Sequence, residues 1–356
     1  MPNQIEFAPP VLDQALERLT TAYASATELV GEVTRSFGIA GSRVQFRFAG
    51  PGLADAFSLA FSHLAIADDG PADLEINLWD CAATGIARPI SDLRHMFAET
   101  THYGDGLVAR APQWMGYQTP RLASILSSSH RVIVGCVTDA ADLSFFEIGK
   151  PLQPLMFHWH VGRDVLPIHA ALVAQGGRGL LLGGKGGSGK STTALVCAHG
   201  GFDFLGDDYV GLAAGEDGSR RGHSFYASAW LEADHSARLP WIANSRLPGK
   251  DSGERKTGFL IDALLRETMR ADTEITAIAI PCVSDASAAS ATPITPAEAM
   301  LRLAPSSILQ IPFLNTSRAL AGLADLVRNL PCYQLNVGRD LPSILSCVDQ
   351  ILTRPR

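Results

Sequence analysis

Gly184-Lys185-Gly186-Gly187-Ser188-Gly189-Lys190-Ser191 is the stretch on which the fold turns. A glycine, four residues, then Gly-Lys-Ser is the spacing of a loop that wraps a phosphate. Its setting agrees: Leu180, Leu181 and Leu182 precede it as a strand, and residues 191–199 follow as a helix rich in small and apolar side chains. Each residue type has a reason. Glycines let successive N–H groups turn inward without steric cost. The helix N-terminus adds partial positive charge behind them. Lys190 reaches toward β- and γ-phosphates, the Ser191 hydroxyl is a Mg²⁺ ligand, and Thr192 completes the first turn. Residues 184–192 are thus read as a nucleoside triphosphate site, with ATP and Mg²⁺ as the expected ligands.

Working outward, Gly206-Asp207-Asp208-Tyr209 lies one helix and one returning strand beyond the loop. Carboxylates at that point can face a γ-phosphate and its metal. Two in succession suggest a division of labour, one on the metal side and one taking a proton from an acceptor hydroxyl. Upstream, His169 in Pro167-Ile168-His169-Ala170-Ala171 is expected on the strand before the loop strand, where adjacent strands can bring it beside the loop. Candidate catalytic residues are therefore Asp207, Lys190 and Asp208, while His169 taken alone is an ordinary strand histidine.

Composition removes other classes. With 356 residues the chain is long enough for two domains, and its 46% hydrophobic and 18% charged residues are those of an ordinary globular protein. A net charge of −7 with no basic run longer than Arg220-Arg221 argues against nucleic acid, whose affinity rests on phosphate neutralisation. The six cysteines form no Cys-x-x-Cys pair, so structural zinc is not indicated. His158 and His160, two apart on an expected helix, do not face one metal and are read as packing residues. No apolar run approaches a membrane span, and Met1-Pro2-Asn3-Gln4-Ile5-Glu6 lacks the pattern of a signal peptide, so the expected location is cytoplasmic.

The first 150 residues read as a smaller α+β domain. Leu12, Leu16, Leu19, Tyr23, Ala26 and Val30 recur at helical spacing, strands are expected over 44–48, 74–78 and 131–137, and a helix over 53–64. From residue 151 strands, glycine turns and helices alternate. Strands are expected over 168–174, 179–183, 202–205, 209–212, 274–280 and 332–337. Residues 215–223 read as a hairpin loop and 284–292 as a small-residue loop. Thr295-Pro296-Ala297-Glu298 is a capping box that should start a helix running to about Leu303, and a last helix is expected over 341–352.

His169, the loop 184–191 and Asp207-Asp208 together resemble the catalytic domain of HPr kinase/phosphorylase and its relatives. The likeness spans roughly residues 166–212 and continues faintly toward the C-terminus. It implies an α/β P-loop kinase domain over 151–356, with a mixed central sheet similar to HPr kinase and phosphoenolpyruvate carboxykinase, behind the α+β domain of 1–150. It further implies phosphorylation of a serine hydroxyl, with Asp207 as general base, Asp208 with Ser191 at the metal, and His169 near the γ-phosphate. Where that family carries Glu-Arg-Gly-x-Gly, this chain has Ala227-Ser228-Ala229-Trp230-Leu231-Glu232-Ala233-Asp234, so neither the phosphorylase activity nor HPr itself is carried over. The layout looks more like HPr-kinase-related proteins of peptide natural-product clusters, some of which phosphorylate a precursor-peptide serine. The resemblance is compatible with a homo-oligomer.

The expected partner is a serine-bearing protein or peptide. A small-molecule kinase and a nucleotide-dependent switch ATPase without an acceptor remain as alternatives. Arg238, Arg246, Lys250, Arg255 and Lys256 are candidates for a cation that folds over the nucleotide.

Overall fold

The computed structural model describes residues 9–67, 70–251, 253 and 255–354. The start at Met1–Glu6 lies outside the described residues. Two compact units emerge. One takes the chain up to Leu59, Ala65–Trp159 and a short stretch from Pro248; the other takes Ala60–Leu64, His160–Leu247 and the chain from Gly253.

The first unit is built on an eight-stranded sheet of β1 (Glu32–Ile39), β2 (Ser42–Ala49), β3 (Leu74–Asp80), β4 (Glu99–Tyr103), β5 (Gly106–Ala111), β6 (Trp114–Gln118), β7 (Leu122–Ser127) and β8 (Val132–Val137). The order is β1-β2-β3-β8-β7-β6-β5-β4, with β2, β3 and β8 parallel and the other neighbours antiparallel. The helix Pro9–Val30 buries Leu12, Ala15, Leu19, Tyr23 and Ala26, every third or fourth residue, among Trp79, Trp114 and Val134. Each buried leucine contributes about 1.5–3 kcal/mol to holding it there. The helix expected over 53–64 is two pieces, an α-helix Pro51–Ser58 and a 3₁₀ turn Leu59–Leu64.

The second unit carries β9 (Leu166–Ile168), β10 (Ala171–Gln175), β11 (Arg178–Leu182), β12 (Asp203–Gly206), β13 (Val210–Ala214), β14 (Arg220–Ser224), β15 (Ser228–Glu232), β16 (Lys256–Leu260), β17 (Asp272–Val283), β18 (Ser290–Pro293) and β19 (Cys332–Val337). Its main sheet runs β12-β10-β11-β17-β14-β13-β9, with β19 beside β17 and β18 beside β19, while β15 and β16 form a separate ribbon. Period-2 alternation gives this sheet two apolar faces. Ala171, Val173, Leu180 and Leu182 point to a core shared with the helices Lys190–His199 and Ser343–Thr353. Leu172, Ala174 and Leu181 point to the other, under the helices Pro296–Ile308 and Thr316–Asn329. The result is a mixed α/β sandwich with helices on both faces.

Several local expectations shift. The strand expected over 168–174 is broken at His169 and Ala170: β9 pairs with β13, whereas β10 pairs with β11 and β12. His169 therefore sits in the bend where the chain changes neighbours. The second half of 215–223 is β14, and β18 closes the expected loop over 284–292. Thr295 and Glu298 form the capping box, Thr295 N donating to Glu298 Oε2 at 2.8 Å, and the helix runs past Leu303 to Ile308 because Leu303 and Ile308 both reach the core.

Candidate active site

The glycine loop joins β11 to the helix Lys190–His199, whose residues 192–198 are all buried, so its N-terminus cannot shift without disturbing the core. Gly189 caps that helix at φ 106° and Gly184 opens the loop at φ 126°, backbone states that a side chain would strain. Lys190, 6% exposed, lies back along the loop and donates from Nζ to the carbonyls of Gly184 at 2.7 Å and Lys185 at 3.0 Å. Burial depresses its pKa; Asp207 and Asp208 pull the other way, and Lys256 adds to the depression.

Asp207 leaves the end of β12 and is 4% exposed. Its Oδ2 accepts from the Trp230 amide on β15 at 2.9 Å, and Oδ1 is buried without a hydrogen-bond partner. Burial raises its pKa, reinforced by Asp208, against the opposing pull of Lys256, the Trp230 amide and the neighbouring Ser191 hydroxyl. Asp208 adopts φ 72°, a left-handed conformation that Asp tolerates better than most residues. Its Oδ1 lies 3.0 Å from His169 Nε2 and 3.9 Å from Lys256 Nζ. His169 is itself buried, with Nδ1 lacking a partner and its ring 5.3 Å from that of Tyr209.

The structure thus brings His169, Lys190, Ser191, Asp207 and Asp208 to one end of the sheet. It adds Trp230, which sequence reasoning did not single out, and it picks Lys256 from the five candidate cations. Trp230 supplies a backbone donor, which no side-chain pattern announces. Lys256 stands on β16 opposite Glu232 of β15, and this ribbon delivers both to a small cleft shared with Gly187, Lys190, Ser191 and Thr192. Of the other cations considered, Arg255 lies 3.9 Å from Glu232, and Lys250 belongs to the first unit, paired with Asp142.

Among the described residues no group of three or more His, Cys, Asp or Glu side chains is arranged to hold a metal ion. Magnesium on a nucleotide takes most of its ligands from phosphate oxygens and water, and one or two from protein. The Ser191 hydroxyl, Asp208 and the unpartnered Oδ1 of Asp207 are hard oxygen donors of that kind, so the donor set fits.

Comparison with known proteins gives a partial likeness. No protein-family model matches the chain, and no curated protein does. Among solved structures it is similar to the HPr(Ser) kinase/phosphatase from Coxiella burnetii, at 14% identity over 52% of this chain and 94% of that one, with a TM-score of 0.28. A likeness at that level carries no residue roles, and the chemistry below rests on this chain's own side chains. No helix among the described residues is long and apolar enough to cross a membrane.

Proposed function

We propose that the second unit is an ATP-dependent phosphotransferase that moves the γ-phosphoryl group to a hydroxyl, with a seryl hydroxyl of a protein or peptide as the acceptor. The observation that carries this reading is Asp207: a buried carboxylate with one open oxygen and a raised pKa, beside a glycine loop and two lysines. A base must hold its charge weakly enough to take a proton at neutral pH, and burial supplies that property.

In the proposed reaction the backbone N–H groups of residues 184–192 hold the phosphates. Lys190 exchanges its contacts with the Gly184 and Lys185 carbonyls for phosphate oxygens. Ser191 and Asp208 are the protein groups that would hold Mg²⁺, which would supply positive charge to the phosphate being transferred. The acceptor oxygen attacks the γ-phosphorus as the bond to the β–γ bridging oxygen breaks. ADP leaves, and the hydroxyl proton passes to Asp207 Oδ1. His169 keeps Asp208 in its left-handed conformation, and Lys256 faces the transferring group with positive charge.

The test is transfer of label from γ-³²P-ATP with Mg²⁺ to proteins and small molecules of a lysate from the same organism, with Asp207→Asn as control after both proteins are shown to bind ATP. An acid-stable, alkali-labile band made only by the wild type supports the reading and identifies the acceptor. ATP bound or hydrolysed with no acceptor labelled would sink it and leave a switch ATPase.

A further inference from the structure

β17 outruns its neighbour. Its pairing with the loop strand β11 ends at Leu182 opposite Ala279, yet β17 continues to Val283 with β19 as its partner on the other side. Residues 280–283 therefore show an edge without a strand partner on the side where the glycine loop begins. Between that edge, the loop and the helix Pro296–Ile308 lies a cavity of about 600 Å³, within the range of about 300–1,000 Å³ typical of small-molecule sites. It lies across the loop from the smaller cleft that holds Lys190, Ser191 and Lys256, and Gly187 borders both.

The lining is mixed in the way a nucleoside requires. Pro281, Val283 and Leu301 offer apolar surface, and Val283 and Leu301 are 58% and 76% exposed, unusual for large apolar groups beside a cavity. Arg302 donates to Gln334 Oε1 at 2.7 Å, and Gln334 Nε2 in turn donates to Asn336 Oδ1 at 2.8 Å, which fixes a planar guanidinium and amide at the wall. The Ser188 hydroxyl, which also lines the cavity, is buried with no hydrogen-bond partner. A phosphate chain gripped by residues 184–192 must carry its nucleoside to one side of the loop. This side offers the volume, the apolar walls, an unmet hydroxyl, and a strand edge on which Pro281 presents a carbonyl without an N–H, an acceptor for an exocyclic amine of a base.

Resting on the nucleotide reading above, we propose that the cavity bounded by residues 280–283, Ser188, Leu301 and Arg302 holds the base and ribose of the triphosphate. The apolar walls cover the faces of the base, and the strand edge reads its hydrogen-bonding rim. Other apolar occupants, such as a side chain of the acceptor, would leave ATP affinity untouched when the cavity is filled.

Calorimetric titration of the whole protein with Mg-ATP and, separately, with Mg-tripolyphosphate separates the two halves of the ligand. Wild type should bind ATP at least tenfold more tightly than tripolyphosphate. Val283→Trp, which fills the cavity from an exposed position, should weaken ATP by tenfold or more and change tripolyphosphate by less than twofold. Arg302→Ala, a surface truncation, should shift ATP in the same direction. Equal affinity of wild type for the two ligands, or Val283→Trp and Arg302→Ala both leaving ATP unchanged, would overturn the assignment and leave the phosphate loop standing. Loss of both ligands in parallel in the variants would overturn it as well. Binding of neither ligand by wild type would remove the nucleotide reading itself, and this inference with it.

Discussion

Replacing Asp207 by asparagine should stabilise the protein while abolishing phosphoryl transfer. The carboxylate is 4% exposed, with Oδ2 held by the Trp230 amide and Oδ1 unpartnered. Its pKa is raised, chiefly by burial and next by Asp208, in spite of Lys256. The summed surroundings therefore favour the neutral form, and asparagine is neutral, nearly the same shape, and keeps an oxygen for the Trp230 amide. Asparagine still leaves one buried polar group unpartnered but removes the buried charge, whose cost exceeds the roughly 1–3 kcal/mol of a neutral group, so a gain of about 2 kcal/mol at pH 8 is expected. In a unit of about 200 residues each kcal/mol moves Tm by roughly 2–4 °C, which gives a rise of about 4–8 °C. The pH dependence has a fixed sign. A carboxylate with a raised folded pKa contributes stability below its unfolded value, near 4, and loses it as pH rises through the folded value. The advantage of Asp207→Asn should thus be largest at pH 8 and fade toward pH 4. Thermal unfolding of both proteins without nucleotide, at pH 5, 6.5 and 8, measures it. No gain at pH 8, or a gain that does not change with pH, would refute the claim that buried charge governs this residue.

Lys256→Ala should lower kcat by about 100-fold or more while changing the Kd for ATP little, because a cation facing the transferring group acts mainly in the transition state; single-turnover transfer beside equilibrium binding separates the two. His63, whose Nε2 is 2.7 Å from Ser224 Oγ, has its pKa lowered to about 4 by burial. Its contribution is present above pH 6.5 and lost as pH falls toward 4, about 3 kcal/mol in all, and His63→Gln should flatten that part of a denaturation profile over the same range. A Cβ at Gly183 would stand 2.3 Å from Leu303 Cδ1, so Gly183→Ala should cost about 1–3 kcal/mol by overpacking. In a Leu303→Ala background most of that increment should vanish, and chemical denaturation of the four proteins of the cycle reads the coupling.

The glycine loop was legible because its demands are local: positive φ at Gly184, Gly187 and Gly189 and a helix start at Lys190 are properties of consecutive residues. The break at His169 was not. Residues 168–174 are apolar throughout apart from that histidine, and only the change of partner from β13 to β11 divides them. The four strands β4 to β7 also went unread, and β4 shows why: Glu99–Tyr103 is a mostly exposed edge strand of polar residues with no apolar alternation. The helix Thr316–Asn329 did carry a signal, since its buried Ala319, Leu323, Leu326 and Val327 keep helical spacing. At the site, Trp230 acts through its backbone, and Lys256 arrives on a ribbon whose two strands are separated by a long connection. Pattern reading within a window misses Trp230, and it lists Lys256 among five cations with nothing to choose between them.

The adjacent aspartates show what the backbone adds to a motif. Two carboxylates in succession would repel if both faced one phosphate. The left-handed turn at Asp208 separates them, sending Asp207 inward to the Trp230 amide and Asp208 to His169 and Lys256. The first is left with an open oxygen in a setting that raises its pKa, and the second lies beside a histidine and a lysine. Roles that are symmetric in sequence are thus unequal in structure, and the same substitution made at the two positions should have different effects. Asp208→Asn keeps the left-handed conformation that Asp and Asn share, so any loss it causes reports on charge at the metal end and not on a collapsed turn. If Asp208→Asn and Asp207→Asn gave the same stability gain and the same pH dependence, the asymmetry argued here would be wrong.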